Sequence, residues 1–158
     1  MRTRADALYR IAWRHAHALP TPLGYGLSRA GADAVWTVQR LRRGRTGVDQ
    51  LEKNLARLLP ASATAAQVRR TSRAGMRSYM RYFYEAFALP GVREEQILAR
   101  VRPELPPQVH TDLKQGSIVL AMSHMGNWDL VGAWACRRLA TVLTVAERLE
   151  PADLFDQF

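Results

Sequence analysis

Apolar residues recur at helical spacing through most of the first 115 positions, which predicts a helical N-terminal region. The first helix is predicted from Ala5 to Leu19, before Pro20, because Leu8, Ile11, Ala12, His15 and Leu19 recur at helical spacing. Arg10 and Arg14 fall elsewhere on the wheel, so this helix is amphipathic and basic. A second helical pattern leads into a cluster of arginines at residues 40–45 and comprises Leu23, Leu27, Ala30, Ala34, Val38 and Leu41.

Four further helices are predicted before Gly116. One spans Val48 to Leu59 and stops at Pro60. The longest starts near Thr64, whose spacing to Gln67 is typical of a capping box. It runs to Leu89, and its face comprises Val68, Ser72, Met76, Tyr79, Phe83 and Phe87. A short helix over residues 94–101 and a helical turn near residues 110–115 complete the helical region.

The pattern changes after Gly116. Short apolar runs over residues 117–122 and 141–146 are typical of buried strands, and they flank a helix predicted over residues 128–139. Strand, helix and strand would form a β-α-β unit with parallel strands. Two strands cannot make a covered parallel sheet alone. The predicted fold is therefore α/β with an incomplete sheet, and the chain is expected to be the N-terminal portion of a longer protein. A further helix is predicted to start at Pro151.

The turn before the predicted helix holds an imidazole and a carboxylate, His124 and Asp129. On one continuous helix they would point about 140° apart, but a turn between them lets the carboxylate face the imidazole. Such a pair fixes the ring tautomer and stabilises the imidazolium formed in general-base catalysis. The structural alternative is a helix cap beside an ordinary turn histidine, since Asn127 suits an N-cap and Gly126 suits a turn. Spacing alone leaves both interpretations open.

The segment His124-Met125-Gly126-Asn127-Trp128-Asp129 resembles the HX4D signature of lysophospholipid-type acyltransferases. Its residues are similar to the corresponding motif in the branch that contains bacterial lipid A acyltransferases and actinobacterial phosphatidylinositol mannoside acyltransferases. Three other segments resemble the mannoside enzymes, at residues 53–57, 78–90 and 144–149. The resemblance covers roughly residues 5–158 and implies an N-terminal helical region followed by the first β-α-β unit of a glycerolipid-acyltransferase-like fold.

The resemblance also implies a reaction, the transfer of a fatty acyl chain from acyl-CoA to a mannose hydroxyl of phosphatidylinositol mannoside. His124 would be the general base and Asp129 would orient it. Arg148 matches an arginine that the family carries near its substrate cleft, and Asn127 and Gly126 are weaker substrate-binding candidates. No metal or resident cofactor is implied, because acyl-CoA is an already activated co-substrate. The nearest alternative is an acyltransferase for another bacterial glycolipid of the lipid A type.

Charge is concentrated near the N-terminus. The formal charge is +9, and residues 1–45 carry nine arginines against two aspartates. Such a surface suits an anionic membrane, where each basic residue adds roughly 1 kcal/mol of attraction. It also suits a solvated face or a non-enzymatic nucleic-acid-binding module. The arginines assigned to the membrane surface are Arg10, Arg14, Arg40, Arg42, Arg43 and Arg45.

The resemblance to lipid enzymes favours the membrane interpretation. The expected partners are an anionic membrane surface, acyl-CoA and a glycolipid acceptor, with no nucleic acid, and the expected location is the cytoplasmic face of the plasma membrane. Residues 1–45 are assigned to membrane association and residues 46–158 to the N-terminal part of one acyltransferase domain. Cys136 is the single cysteine, which excludes an internal disulfide.

Overall fold

The computed structural model describes residues 4–42, 47–123 and 125–145. Seven α-helices run through this part of the chain: α1 Arg4–His15, α2 Thr21–Leu41, α3 Gly47–Leu58, α4 Ala65–Ala88, α5 Glu94–Arg100, α6 Pro107–Gln115 and α7 Trp128–Arg138. Single 3-10 turns follow α1 at Ala16–Ala18 and α4 at Leu89–Gly91. The helices predicted from apolar spacing are thus confirmed, with ends that lie within four residues of the predicted ones, and the predicted helical turn at residues 110–115 is part of α6.

The predicted β-α-β unit is wrong for the part of the chain that the structure describes. Residues 117–123 and 141–145 contain no strand. Their apolar side chains face solvent, with Val119 and Leu143 each 98% exposed. A strand exists only through hydrogen bonds to a neighbouring strand. The apolar runs indicate burial but supply no such neighbour, so α7 is flanked by irregular segments instead. Ala146 and the helix predicted from Pro151 lie outside the described residues.

Two compact units make up the described residues, and one of them is Ala18–Glu85. Here α2 packs against α4 through small residues: Gly24 and Ala32 are buried, and Gly24 lies against the ring of Tyr84. The apolar face of α2 that the sequence pattern marks instead points to solvent, as Leu23, Leu27, Val38 and Leu41 show. The helix was predicted from the pattern, but α4 selects the opposite face.

Polar side chains also join the helices of this unit. The indole Nε1 of Trp36 donates to the Ser72 hydroxyl at 2.8 Å, and Ser72 donates to Glu52 Oε1 at 3.1 Å. Arg40 donates to both oxygens of the same carboxylate at 2.6 and 2.7 Å. Ser72 is fully buried, so α2, α3 and α4 meet around one satisfied hydroxyl.

The predicted capping box at the start of α4 is confirmed. The backbone N–H of Thr64 donates to Gln67 Oε1 at 2.6 Å, and the N–H of Gln67 donates to Thr64 Oγ1 at 3.3 Å. Each side chain satisfies a backbone donor that the first helical turn leaves without an intrahelical partner. The local sequence therefore fixes where this helix begins.

The other unit comprises the described parts of Met1–His17 and Ala86–Phe158. Its core consists of Ile97 from α5 with Trp134 and Ala135 from α7. Half-buried apolar side chains surround these three, namely Leu89, Val92, Leu98, Val101, Leu105, Leu130, Ala133 and Leu139. In the same unit the ring of Trp13 packs edge-on against Phe87, with centroids 5.4 Å apart.

Candidate active site

The turn before α7 is built from a glycine and a capping asparagine. Gly126 has a φ of 71°, a left-handed conformation that glycine adopts without the strain a Cβ would add. Asn127 follows, and its Oδ1 accepts a hydrogen bond from the backbone N–H of Leu130 at 2.9 Å. The predicted N-cap is therefore confirmed, and the chain enters α7 in one defined direction.

Core packing holds α7 along its length. Trp134 and Ala135 are buried against Ile97 of α5, where the tryptophan supplies most of the apolar area. At the other end, Arg137 Nη1 donates to the carbonyl oxygen of Ala133 at 2.7 Å, close to the negative end of the helix dipole. Trp134 is therefore a core residue. The start of α7 is thus fixed by a cap and by the core behind it.

Asp129 lies in the first turn of α7 and is half-buried. Backbone N–H groups and the positive end of the helix dipole stabilise a carboxylate at this place. His124 and Arg148 lie outside the described residues. The contact between the imidazole and the carboxylate therefore stays a prediction from the sequence. The same holds for the substrate roles of Asn127 and Gly126, whose described roles are the cap and the turn.

Among the residues that the structure describes, no group of three His, Cys, Asp or Glu side chains is placed to hold a metal ion. Cys136 is exposed on α7.

The structure describes four of the six arginines assigned to an anionic surface, namely Arg10, Arg14, Arg40 and Arg42. Arg14 and Arg42 are exposed, whereas Arg10 is half-buried. Arg40 is engaged by Glu52 and lies over the ring of Trp36, 5.5 Å from its centroid. Arg43 and Arg45 lie outside the described residues. No helix among the described residues is both long and apolar enough to cross a bilayer.

An ion-pair cluster between α2 and α4 is absent from the sequence prediction. Asp33 accepts paired hydrogen bonds from Arg77 at 2.7 and 2.6 Å and from Arg73 at 2.8 and 2.7 Å. The hydrogen bonds from Arg77, then those from Arg73, hold the pKa of Asp33 well below its usual range. The signal in the sequence is a row of arginines four residues apart on α4, at 69, 73, 77 and 81. Arg81 pairs with Glu85 four residues later on the same helix, but Asp33, the partner of Arg73 and Arg77, lies on α2 and cannot be read from that row.

Comparison with known proteins identifies the sequence family. The family model of bacterial lipid A biosynthesis acyltransferases matches residues 1–158. The phosphatidylinositol mannoside acyltransferase of Mycobacterium tuberculosis strain H37Rv is 34% identical over 162 residues, and that of Mycolicibacterium smegmatis is 33% identical over 157. These alignments cover 99% and 97% of this chain but 48% of each relative, so the chain spans about half the length of these relatives. No solved structure matches.

Proposed function

The chain belongs to the bacterial lipid A biosynthesis acyltransferase family, and we propose that it contributes the catalytic base of an enzyme that acylates phosphatidylinositol mannoside. The acceptor is taken from the names of the two mycobacterial relatives. The proposed donor is acyl-CoA, and the proposed place of action is the cytoplasmic face of the plasma membrane, where a lipid acceptor meets a soluble thioester.

The start of α7 is the observation that carries this proposal. Gly126 turns the chain, Asn127 caps the helix and Asp129 follows in the first turn, all within a motif that resembles the HX4D signature. A carboxylate in that position is stabilised by the helix and held by the packing of Trp134. His124 is two residues before Gly126 in the sequence. We therefore expect the turn at Gly126 to direct the imidazole of His124 back toward the carboxylate of Asp129.

The proposed reaction is a single acyl transfer. A nitrogen of His124 accepts the proton of a mannose hydroxyl while the hydroxyl oxygen attacks the thioester carbonyl carbon. Asp129 accepts a hydrogen bond from the other ring nitrogen and stabilises the imidazolium. The tetrahedral intermediate then collapses, the carbon–sulfur bond breaks, and the thiolate of coenzyme A takes the proton from His124. An ester replaces a thioester, so no external oxidant or reductant is needed.

The test is an acyl-transfer assay on the protein at its natural length. Labelled palmitoyl-CoA and phosphatidylinositol mannoside vesicles are supplied to the wild type and to a His124→Ala variant. We expect the variant to lose at least about 100-fold in kcat, because a positioned general base typically contributes that much. Cys136→Ser, at an exposed position on α7, is the matched control and should retain wild-type turnover.

Turnover of His124→Ala at the wild-type rate would contradict the assignment of the base. A lipid A-type acceptor, supplied in the same assay, separates the nearest alternative substrate. Faster acylation of that acceptor than of the mannoside would retain the reaction and replace the acceptor.

A further inference from the structure

The outward face of α2 forms an apolar stripe that the fold leaves uncovered. The stripe comprises Leu23, Leu27, Ala30, Ala34, Val38 and Leu41, and every one of these side chains is exposed. Leu27 is 55% exposed and Leu41 is 77% exposed. At about 100° per residue the six positions fall within an arc of about 80°, and they extend for about 27 Å along the helix. The stripe is therefore continuous and long.

Packing does not account for this stripe. The buried positions of α2 are Gly24 and Ala32, which lie on other faces of the helix, Ala32 on the side opposite the stripe. The charged side chains Asp33 and Arg40 lie outside the arc and are engaged by Arg73, Arg77 and Glu52. The helix is thus apolar on a face that makes no contribution to its own unit. A large exposed apolar surface of this kind marks an interaction site.

Charge indicates what covers the stripe. In sequence, the unit Ala18–Glu85 has twelve basic residues against four acidic ones, which is +8 of the chain's +9. At about 100° per residue, the exposed Arg42 lies about 40° beyond one edge of the stripe, whereas the exposed Arg29 lies about 100° beyond the other edge, on the far side of the helix. A second copy of the chain would bring two such charges together, which opposes association. An anionic surface is attracted by the same charge, and its apolar interior accepts the leucines.

We propose that the α2 stripe is the surface by which the protein lies on an anionic phospholipid membrane. The helix lies in the plane of the interface, with its leucines and Val38 inserted below the headgroups and Arg42 beside the stripe among the phosphates, and the basic excess of the unit adds long-range attraction. This inference deepens the proposed function, on which it rests, by naming the face that meets the lipid. Within residues 1–45, which the sequence assigned to membrane association, it assigns the apolar contact to α2.

A defined headgroup pocket is not needed. A cavity of about 200 Å³ opens at the C-terminal end of the stripe and is lined by Trp36, Thr37, Arg40 and Leu41. The guanidinium of Arg40 is already neutralised by both oxygens of Glu52. Recognition is therefore assigned to the apolar stripe and the surrounding charge.

Vesicle flotation tests the proposal with the whole chain and without acyl donor or mannoside. The probes are phosphatidylcholine vesicles with and without phosphatidylinositol. Leu27→Glu/Val38→Glu places two carboxylates in the stripe. The matched control, Gln50→Glu/Leu58→Glu, adds the same charge at exposed positions of α3, where Leu58 is 82% exposed. Circular dichroism checks that both variants retain their helices.

We expect the wild type to bind the phosphatidylinositol vesicles at least about tenfold more tightly than the neutral ones. The stripe variant should lose at least about tenfold more affinity than the α3 variant, because only it removes apolar insertion. Equal losses in the two variants, or a wild type that binds neither vesicle, would overturn the proposal. A dimer in sedimentation velocity that only the stripe variant abolishes would overturn it in favour of a second copy.

The same measurement separates docking from chemistry. His124→Ala should bind vesicles as the wild type does, because it leaves the stripe intact. Normal turnover by that variant would remove the proposed base without touching the docking result. Vesicle binding by the stripe variant is measured without acyl donor, so its loss is a result that does not depend on turnover.

Discussion

Gly24 and Gly26 lie two residues apart on α2. Replacing each by alanine should change the free energy of unfolding in opposite directions. A methyl group at Gly24 would lie 2.0 Å from Cζ and 2.4 Å from the hydroxyl oxygen of Tyr84, whereas one at Gly26 would meet no heavy atom within 4 Å. Carbon atoms in contact sit about 3.5–4.0 Å apart, so the ring of Tyr84 would have to move by about 1.5 Å. Its edge contact with Tyr25, with centroids 5.5 Å apart, opposes that movement.

The expected magnitudes follow from two effects. Replacing glycine by alanine inside a helix stabilises the folded state by about 0.5–1 kcal/mol at either position. At Gly24 the overpacking penalty, roughly 1–3 kcal/mol, opposes this gain. Gly24→Ala should therefore lower the free energy of unfolding by about 1 kcal/mol, and Gly26→Ala should raise it by about 0.5–1 kcal/mol.

Urea denaturation followed by circular dichroism measures both variants against the wild type. The informative quantity is the sign of the shift in midpoint, since the two substitutions are chemically identical and share one helix. A midpoint for Gly24→Ala at or above that of Gly26→Ala would refute the close approach of α2 and α4 at Tyr84.

Two further predictions concern the polar contacts between α2 and α4. Ser72→Ala should lower the free energy of unfolding by about 1–2 kcal/mol, because the indole N–H of the half-buried Trp36 and the carboxylate of Glu52 lose their shared partner. Ser78→Ala, at an exposed position on the same helix, is the control, and equal urea midpoints would contradict the network. Asp33 has a lowered pKa in the folded protein, so its stabilising contribution is present above its ordinary pKa, about 4, and is lost as the pH falls below that value. Asp33→Asn should therefore show a smaller drop in urea midpoint between pH 7 and pH 3 than the wild type, and identical drops would argue against the paired arginines.

The candidate active site was predictable to the extent that its parts are local. Asn127 was expected as the cap of α7 and accepts the expected hydrogen bond from the first turn. Gly126 was expected in a turn and has a positive φ. A cap and a turn depend on neighbours within a few residues, so the sequence contains the whole cause. The contact between His124 and Asp129 stays a prediction, as does the role of Arg148.

The contacts between helices were not predictable in the same way. The pairing of Asp33 with Arg73 joins residues 40 positions apart, and the donation from Trp36 to Ser72 spans 36. Aspartate, arginine and serine side chains occur along most solvated helices. Only the packing of α2 on α4 brings these particular residues within hydrogen-bonding distance. The row of arginines on α4 was visible in the sequence, but Asp33 as the acceptor of Arg73 and Arg77 was not.

By itself the sequence determined the helices, their ends to within four residues and the family, because apolar spacing, proline stops, caps and a motif are all local properties of a chain. Tertiary structure decided which surfaces are buried, because burial requires a packing partner and apolar spacing does not identify which element that partner is. The apolar runs on either side of α7 were predicted to be buried strands. In the described residues they form no strand, and most of their side chains are exposed. The apolar face of α2 read as an ordinary helical pattern, yet α4 packs on the small residues of another face and leaves the leucines to solvent.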